Sequence, residues 1–205
     1  LYFAQWHQVR NKKTTPLLIK RRGNSFKEVT VNTFKLFLDI DGIVCTQRCT
    51  KDWIKVALPY GEYKYSNICW DEKAINEFLY FLAQLEAITP YEIILSSDWR
   101  WNNPEDHTRL LFDRYKIPQY TSITPIKSHT ATHGIRSLEI LEWLKENNVT
   151  DNKYLVIDDT SFIIKPHIDN KNFVFVNGGW NSGGFNHWHR KHALEKARKL
   201  LGIAS

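Results

Sequence analysis

The 205-residue chain is 42% hydrophobic and 14% aromatic, enough apolar material to bury a sizeable core in one domain and too much for a disordered protein. A formal charge of +6 favours polyanionic partners such as nucleic acid, although the same charge also serves plain solubility. No apolar run is long enough to cross a bilayer and no secretory signal opens the chain, so a soluble protein is expected.

Residues 1–33 are polar and basic, with Lys12-Lys13 and Lys20-Arg21-Arg22 ahead of a Gly23-Asn24 turn signal. They are expected to form a basic N-terminal arm or short hairpin outside the main domain at 34–205. The chain opens at Leu1 and holds no Met, so an initiator residue is expected upstream. Lys35 to Ile40 is a short apolar run that meets acid and then Gly42, which predicts a buried central strand of parallel type. Residues 46–70 combine a Pro59-Tyr60-Gly61 turn with many aromatics and are expected to be an irregular minimal flap. The odd set of Cys45, Cys49 and Cys69 lacks zinc spacing and reads as reduced thiols in the cytoplasm. After Asp71 as N-cap, Ile75, Phe78, Leu79, Phe81, Leu82 and Leu85 recur at helical spacing.

Tyr91–Leu95 predicts a second strand, introduced by Pro90 and closed by Ser96-Ser97-Asp98. Pro104 suits the first position of a helix that carries Leu110, Leu111, Phe112 and Tyr115. A weaker strand at Tyr120–Thr124 leads through His133-Gly134 to a helix from Ser137, with Ile140, Leu141 and Leu144, that stops near Asn147-Asn148. Tyr154–Ile157 is a further strand ending in Asp158-Asp159, and Phe173–Val176 is the last, running into Asn177-Gly178-Gly179 and a closing basic helix from His187 to Leu201. Short apolar strands alternating with helices predict an α/β fold, a Rossmann-like three-layer α/β/α sandwich with a central parallel sheet. Ligand sites in such sheets lie beyond the carboxyl ends of the strands, where the polar residues discussed next fall.

Asp39 and Asp41 stand two apart on extended backbone and so project to one side, placing two carboxylates together. Their repulsion is tolerable if a divalent cation offsets one while the other holds a proton, a division suited to a nucleophile and a general acid. Asp158-Asp159, at another strand end, supplies hard oxygen ligands for Mg2+ beside Asp39. Ser96, with Ser97 as the alternate, can donate to phosphoryl oxygens. Arg136 is the first choice for a cation that offsets charge on the phosphoryl group, and Lys127 the substitute. Gly42, Ser97, Arg100 and Lys127 are the expected substrate-binding positions; Trp99 can also reach substrate, though a Trp so placed more often packs in a core.

Leu38-Asp39-Ile40-Asp41-Gly42-Ile43, Ile94-Leu95-Ser96-Ser97, a basic residue and Val156-Ile157-Asp158-Asp159 resemble the four ordered motifs of the haloacid dehalogenase superfamily, over residues 36–159. Ser96-Ser97-Asp98-Trp99-Arg100 and Arg136 with Ile140 and Trp143 resemble, more narrowly, the phosphatase-like domains associated with RNA-repair proteins. The resemblance implies that Asp39 attacks phosphorus, that Asp41 protonates the leaving oxygen and later activates water, and that Asp39, Asp158, Asp159 and the backbone carbonyl of Asp41 hold Mg2+. It also implies a lysine in the third motif, from which Arg136 departs.

Only about 25 residues separate Asp41 from the first helix, too few for a large mobile cap. An open site, the basic arm and the segment from Trp180 to Arg190 favour a phosphate terminus of RNA or DNA as substrate. Within that segment Trp180, His187, Trp188 and His189 offer stacking faces, or else pack the last helix onto the sheet. Two other functions fit the sequence: a phosphatase for small nucleotide or sugar phosphates, and a non-catalytic nucleic-acid-binding module whose acidic cluster is structural. A receiver-type signalling domain fits poorly, because its phosphorylated Asp ends a later strand.

Overall fold

The chain divides between Asn32 and Thr33 into two units, and the computed structural model describes residues 17–19, 27–29, 33–46, 50–57, 63–102, 105–127, 135–149, 153–177 and 183–203. In the first unit β1 (Leu17–Ile19) pairs antiparallel with β2 (Lys27–Val29), Leu17 opposite Val29. The Gly23-Asn24 turn and the basic pairs of the arm lie outside the described residues.

The second unit begins with β3 (Phe34–Leu38). Residues 46–70, expected to be irregular, instead hold an antiparallel pair, β4 (Thr50–Ala57) and β5 (Tyr63–Trp70), in register from Thr50 opposite Trp70 to Ala57 opposite Tyr63. Trp53, Ile54, Val56, Tyr63, Tyr65 and Ile68 are β-branched or aromatic and favour an extended, paired backbone; the charged residues between them hid that pattern. The Pro59-Tyr60-Gly61 turn lies outside the described residues.

Then follow α1 (Glu72–Glu86), β6 (Tyr91–Leu95), α2 (Trp99–Asn102), α3 (Glu105–Arg114), β7 (Ser122–Ile123), α4 (Ile135–Glu146), β8 (Tyr154–Asp158), α5 (Ser161–Ile164), β9 (Phe173–Phe175) and α6 (His187–Leu200). Pro104 lies outside the described residues, and β7 is shorter than the strand expected at Tyr120–Thr124. Both long flanking helices are closed at their N-termini by side chains. Asp71 accepts from the Lys73 and Ala74 amides of α1, and Asn186 accepts from Trp188 and His189 in a capping box on α6.

The main sheet is parallel throughout, in the order β7-β6-β3-β8-β9, with β3 at its centre. Successive side chains of a strand point to opposite faces, and here they enter two separate cores. Phe34, Leu36 and Leu38 of β3, Ile93 and Leu95 of β6, and Leu155 and Ile157 of β8 join one cluster with α1, α3 and α6. Phe37, Ile94, Tyr154 and Val156 join the other with α4 and α5. A sheet covered on both faces gives the three layers that the alternation of elements predicts. Among the described residues, no helix is long and apolar enough to cross a membrane.

Trp143 fixes α4 to this frame. Its ring meets Phe37 edge to face at 5.4 Å, and its indole N–H donates to the Ser122 hydroxyl at 2.9 Å, tying the helix to the central and edge strands at once. Trp143→Ala is expected to lower the unfolding free energy by about 3–5 kcal/mol, read as a shift of the urea midpoint at unchanged slope.

Candidate active site

The parallel ladder runs on past the strand ends and sets the next residues side by side. Asp39 donates its amide to the Ile157 carbonyl at 3.0 Å, Ser96 to Leu38 at 2.8 Å, Thr124 to Leu95 at 3.0 Å and Val176 to Asp158 at 3.0 Å. Beyond Asp39 the chain doubles back. The amides of Ile43, Val44 and Cys45 all converge on the Ile40 carbonyl, and the Gly42 amide donates to the Cys45 carbonyl at 2.7 Å. Gly42 has φ +72°, and a Cβ there would lie 1.9 Å from a carboxylate oxygen of Asp159. Its absent side chain is therefore what lets the Asp159 carboxylate lie against the turn. Gly42, expected at a substrate-binding position, has its amide engaged within the turn.

Asp39, Asp158 and Asp159 each offer a carboxylate oxygen within 4.8 Å of the others, and Asp39 and Asp158 are buried. The Asp41 carboxylate is not a member of that group. Three hard anionic oxygens at this spacing fit a hard divalent cation.

Arg136, in the first turn of α4, extends into the cluster with only 5% of its surface exposed. One guanidinium nitrogen donates to Asp39 at 2.9 Å and to Asp158 at 2.6 Å; the other terminal nitrogen donates to Asp98 at 2.8 Å. Burial opposes its charge, but Asp158, Asp39 and Asp98 together raise it well beyond the ordinary arginine range. Lys127 sits elsewhere: its ammonium pairs with Glu142 at 2.7 Å on the surface. Of the two cations the sequence left open, the fold brings Arg136 to the acids.

Asp158 is held by Arg136 and by the Thr160 amide at 2.7 Å. Burial still pushes its carboxyl upward, against the pull of Arg136. Asp41 is raised to about 6, first by burial and then by the Asp39 charge, while hydrogen bonds from the Trp99 and Cys45 side chains work the other way. Ser96 follows β6 almost fully buried, and its hydroxyl has no hydrogen-bond partner among the described residues. A buried hydroxyl is rarely left unpaired in a folded protein, and at a strand end beside carboxylates it is a donor awaiting an anionic oxygen.

Arg100 lies where the sequence reading did not put it. Its side chain is 2% exposed and bonds Glu139 at 2.9 Å, the Ser97 carbonyl at 2.6 Å and the Thr124 and Pro125 carbonyls at 3.1 and 3.0 Å, with a further short contact to the Thr124 hydroxyl. It braces the loops after β6 and β7 against α4 instead of facing substrate. Ser97 is fully buried in the same turn, its hydroxyl accepting from the Trp99 amide at 3.4 Å. Trp99 is the residue that sequence reasoning undervalued: it packs edge to face on Trp70 at 5.9 Å while its indole donates to Asp41. Trp180 lies outside the described residues.

A parallel sheet whose central strand ends in Asp-x-Asp-Gly, with an acidic pair on the neighbouring strand and a buried cation joining them, defines a phosphatase of the haloacid dehalogenase (HAD) type. A family model described as the HAD domain in Swiss Army Knife RNA repair proteins matches residues 35–181, and the chain belongs to that family. Among solved structures, a Vibrio cholerae protein assigned as a 3-deoxy-D-manno-octulosonate 8-phosphate phosphatase is similar at 9% identity and TM-score 0.40, over 84% of this chain and 87% of that one. No curated protein matches the sequence.

Removing the guanidinium leaves buried carboxylates facing one another without a counter-charge. Arg136→Ala is therefore expected to lose about 3–5 kcal/mol of stability in EDTA, and to regain part of it when Mg2+ is added. Thermal denaturation of wild type and variant in the two buffers checks both halves. Gly42→Ala, which strains a left-handed φ and forces Asp159 away, is expected to weaken Mg2+ binding about tenfold or more in isothermal titration.

Proposed function

We propose that this domain is a Mg2+-dependent phosphomonoester hydrolase that acts through an aspartyl-phosphate on Asp39, with the terminal phosphate of a nucleic acid as its substrate. The observation that carries the reading is the position of Asp39. It directly follows the central strand, inside a ring made by Asp158, Asp159 and Arg136, and the Ser96 hydroxyl beyond the adjacent strand has no partner among the described residues.

In this scheme an Asp39 oxygen attacks phosphorus and the bond from phosphorus to the leaving oxygen breaks. Asp41, a carboxyl raised to about 6, gives its proton to that oxygen. It then takes a proton from the water that attacks the phosphoryl group on Asp39, releasing inorganic phosphate and restoring the free carboxylate. Arg136 and Ser96 donate to the equatorial phosphoryl oxygens, where charge is spread in the transition state. Asp39, Asp158 and Asp159, with the Asp41 backbone carbonyl, would hold Mg2+, which when bound offsets the charge of carboxylates and phosphate.

A macromolecular substrate is supported by the net charge of +6 and by the RNA-repair proteins in which this family's HAD domain occurs. It is also supported by the insertion between β3 and α1, whose described part is the β4–β5 pair and holds no helical cap. A cytoplasmic setting fits Cys45, a buried cysteine whose side chain bonds Asp41.

Asp39→Asn should lower kcat/KM on an end-phosphorylated oligonucleotide by about 10³-fold or more while leaving the fold intact. EDTA should abolish wild-type turnover and Mg2+ restore it. Retained activity in the variant would sink the nucleophile assignment. Equal or better turnover of mononucleotide or sugar phosphates would sink the macromolecular substrate and leave a small-molecule phosphatase.

A further inference from the structure

The two aromatic side chains most exposed among the described residues lie on one pair of packed helices. Trp188 of α6 is 62% exposed and Tyr80 of α1 is 61% exposed. Neither is loose. The Trp188 ring lies nearly parallel to His192, centroids 5.3 Å apart at 18°, and the Arg190 guanidinium sits 5.6 Å from the Tyr80 centroid. Arg190 is itself fixed by Glu77 at 2.9 Å and by the His187 ring. Along α6, Trp188 lies three and four residues from Lys191 and His192, these lie four and three from Glu195, and Glu195 lies four from Lys199, so the five share one side of the helix. The helix as a whole sets Arg190, Lys191, Lys196, Arg198 and Lys199 against the lone acid Glu195.

The start of α6 is tied to the loop of the candidate active site. The Phe185 amide, just before α6, donates to the Ile43 carbonyl at 2.9 Å, and Ile43 belongs to the turn that follows Asp41. Gly184 (φ +67°) allows that approach, since a Cβ there would lie 2.4 Å from the same carbonyl. Trp188 is therefore carried in the first turn of a helix whose start is bonded to the Asp-x-Asp-Gly loop.

From this arrangement we propose that the Trp188 face of α6, with His192, Lys191 and Lys199 along it, is a stacking platform for single-stranded nucleic acid. Its place beside the Asp39 loop would steer the strand's phosphorylated end toward the site. Preformed flat rings receive bases at little ordering cost, and the neighbouring cations meet the backbone phosphates. A protein partner would be better served by exposed aliphatic neighbours than by Lys191 and Lys199. The proposal deepens the nucleic-acid reading above and rests on it for what happens at the strand's end; the binding itself does not depend on turnover.

The test is fluorescence anisotropy with labelled, unphosphorylated RNA and DNA strands of about ten nucleotides, in EDTA. Wild type should bind both, and Trp188→Ala should bind about tenfold more weakly, while Trp188→Phe retains most of the affinity. Lys191→Glu should weaken binding and flatten its salt dependence. Hydrolysis of p-nitrophenyl phosphate, which is too small to reach the patch, should be unchanged in Trp188→Ala. Equal affinity of wild type and Trp188→Ala, or no binding by wild type, would overturn the platform. Failure of Asp39→Asn to stop turnover would instead count against the phosphatase mechanism, with the binding result unaffected.

Discussion

A guanidinium buried among carboxylates is the interaction on which the rest of this molecule turns. Taking one charged group out of water costs several kcal/mol even after relaxation, so Arg136 can lie where it does only because Asp39, Asp98 and Asp158 receive it. The same pairing lets the two buried acids sit close together at the ends of adjacent strands. Four carboxylates, counting Asp159, nevertheless face one guanidinium. The surplus of negative charge is of the sign that a further cation would offset.

Such an arrangement demands accurate placement of α4, because Arg136 lies in its first turn. Two ties hold that helix. Trp143 packs on Phe37 and bonds Ser122, and the buried Glu139 carboxylate receives both Arg100 and the Lys127 amide. The second tie links the loops after β6 and β7 to α4, so Ser96, Thr124 and Arg136 belong to one braced unit. A planar fork with several donors suits that brace better than an ammonium, since it reaches three backbone carbonyls and a carboxylate from one position.

Much of this frame was legible in the chain itself. Short apolar strands ending in acid announced the parallel sheet, and Asp39 and Asp41, expected side by side, lie near enough for the Asp39 charge to raise the Asp41 carboxyl. What the sequence could not supply was the identity of partners far apart in the chain. Arg100 looked available because its partners, Thr124 and Glu139, lie 24 and 39 residues away. The choice between Arg136 and Lys127 likewise depends on which side of the sheet each loop crosses, a property of topology that local pattern does not encode. The β4–β5 pair was missed for a different reason: charges interrupt its β-branched and aromatic residues, so no clean alternation marks the strands. Trp99 was undervalued because a ring can be packed on one side and still offer its N–H on the other.

The turn at Ile40 has a wider consequence. Three amides focus on a single carbonyl there, and the backbone closes on itself before Cys45. Such a knot of main-chain bonds carries little side-chain information, so the spacing between Asp39 and Asp41 is guarded by peptide geometry, not by neighbours that sequence drift can exchange. The surrounding surface can therefore diversify to suit different partners while the pair of acids stays in register.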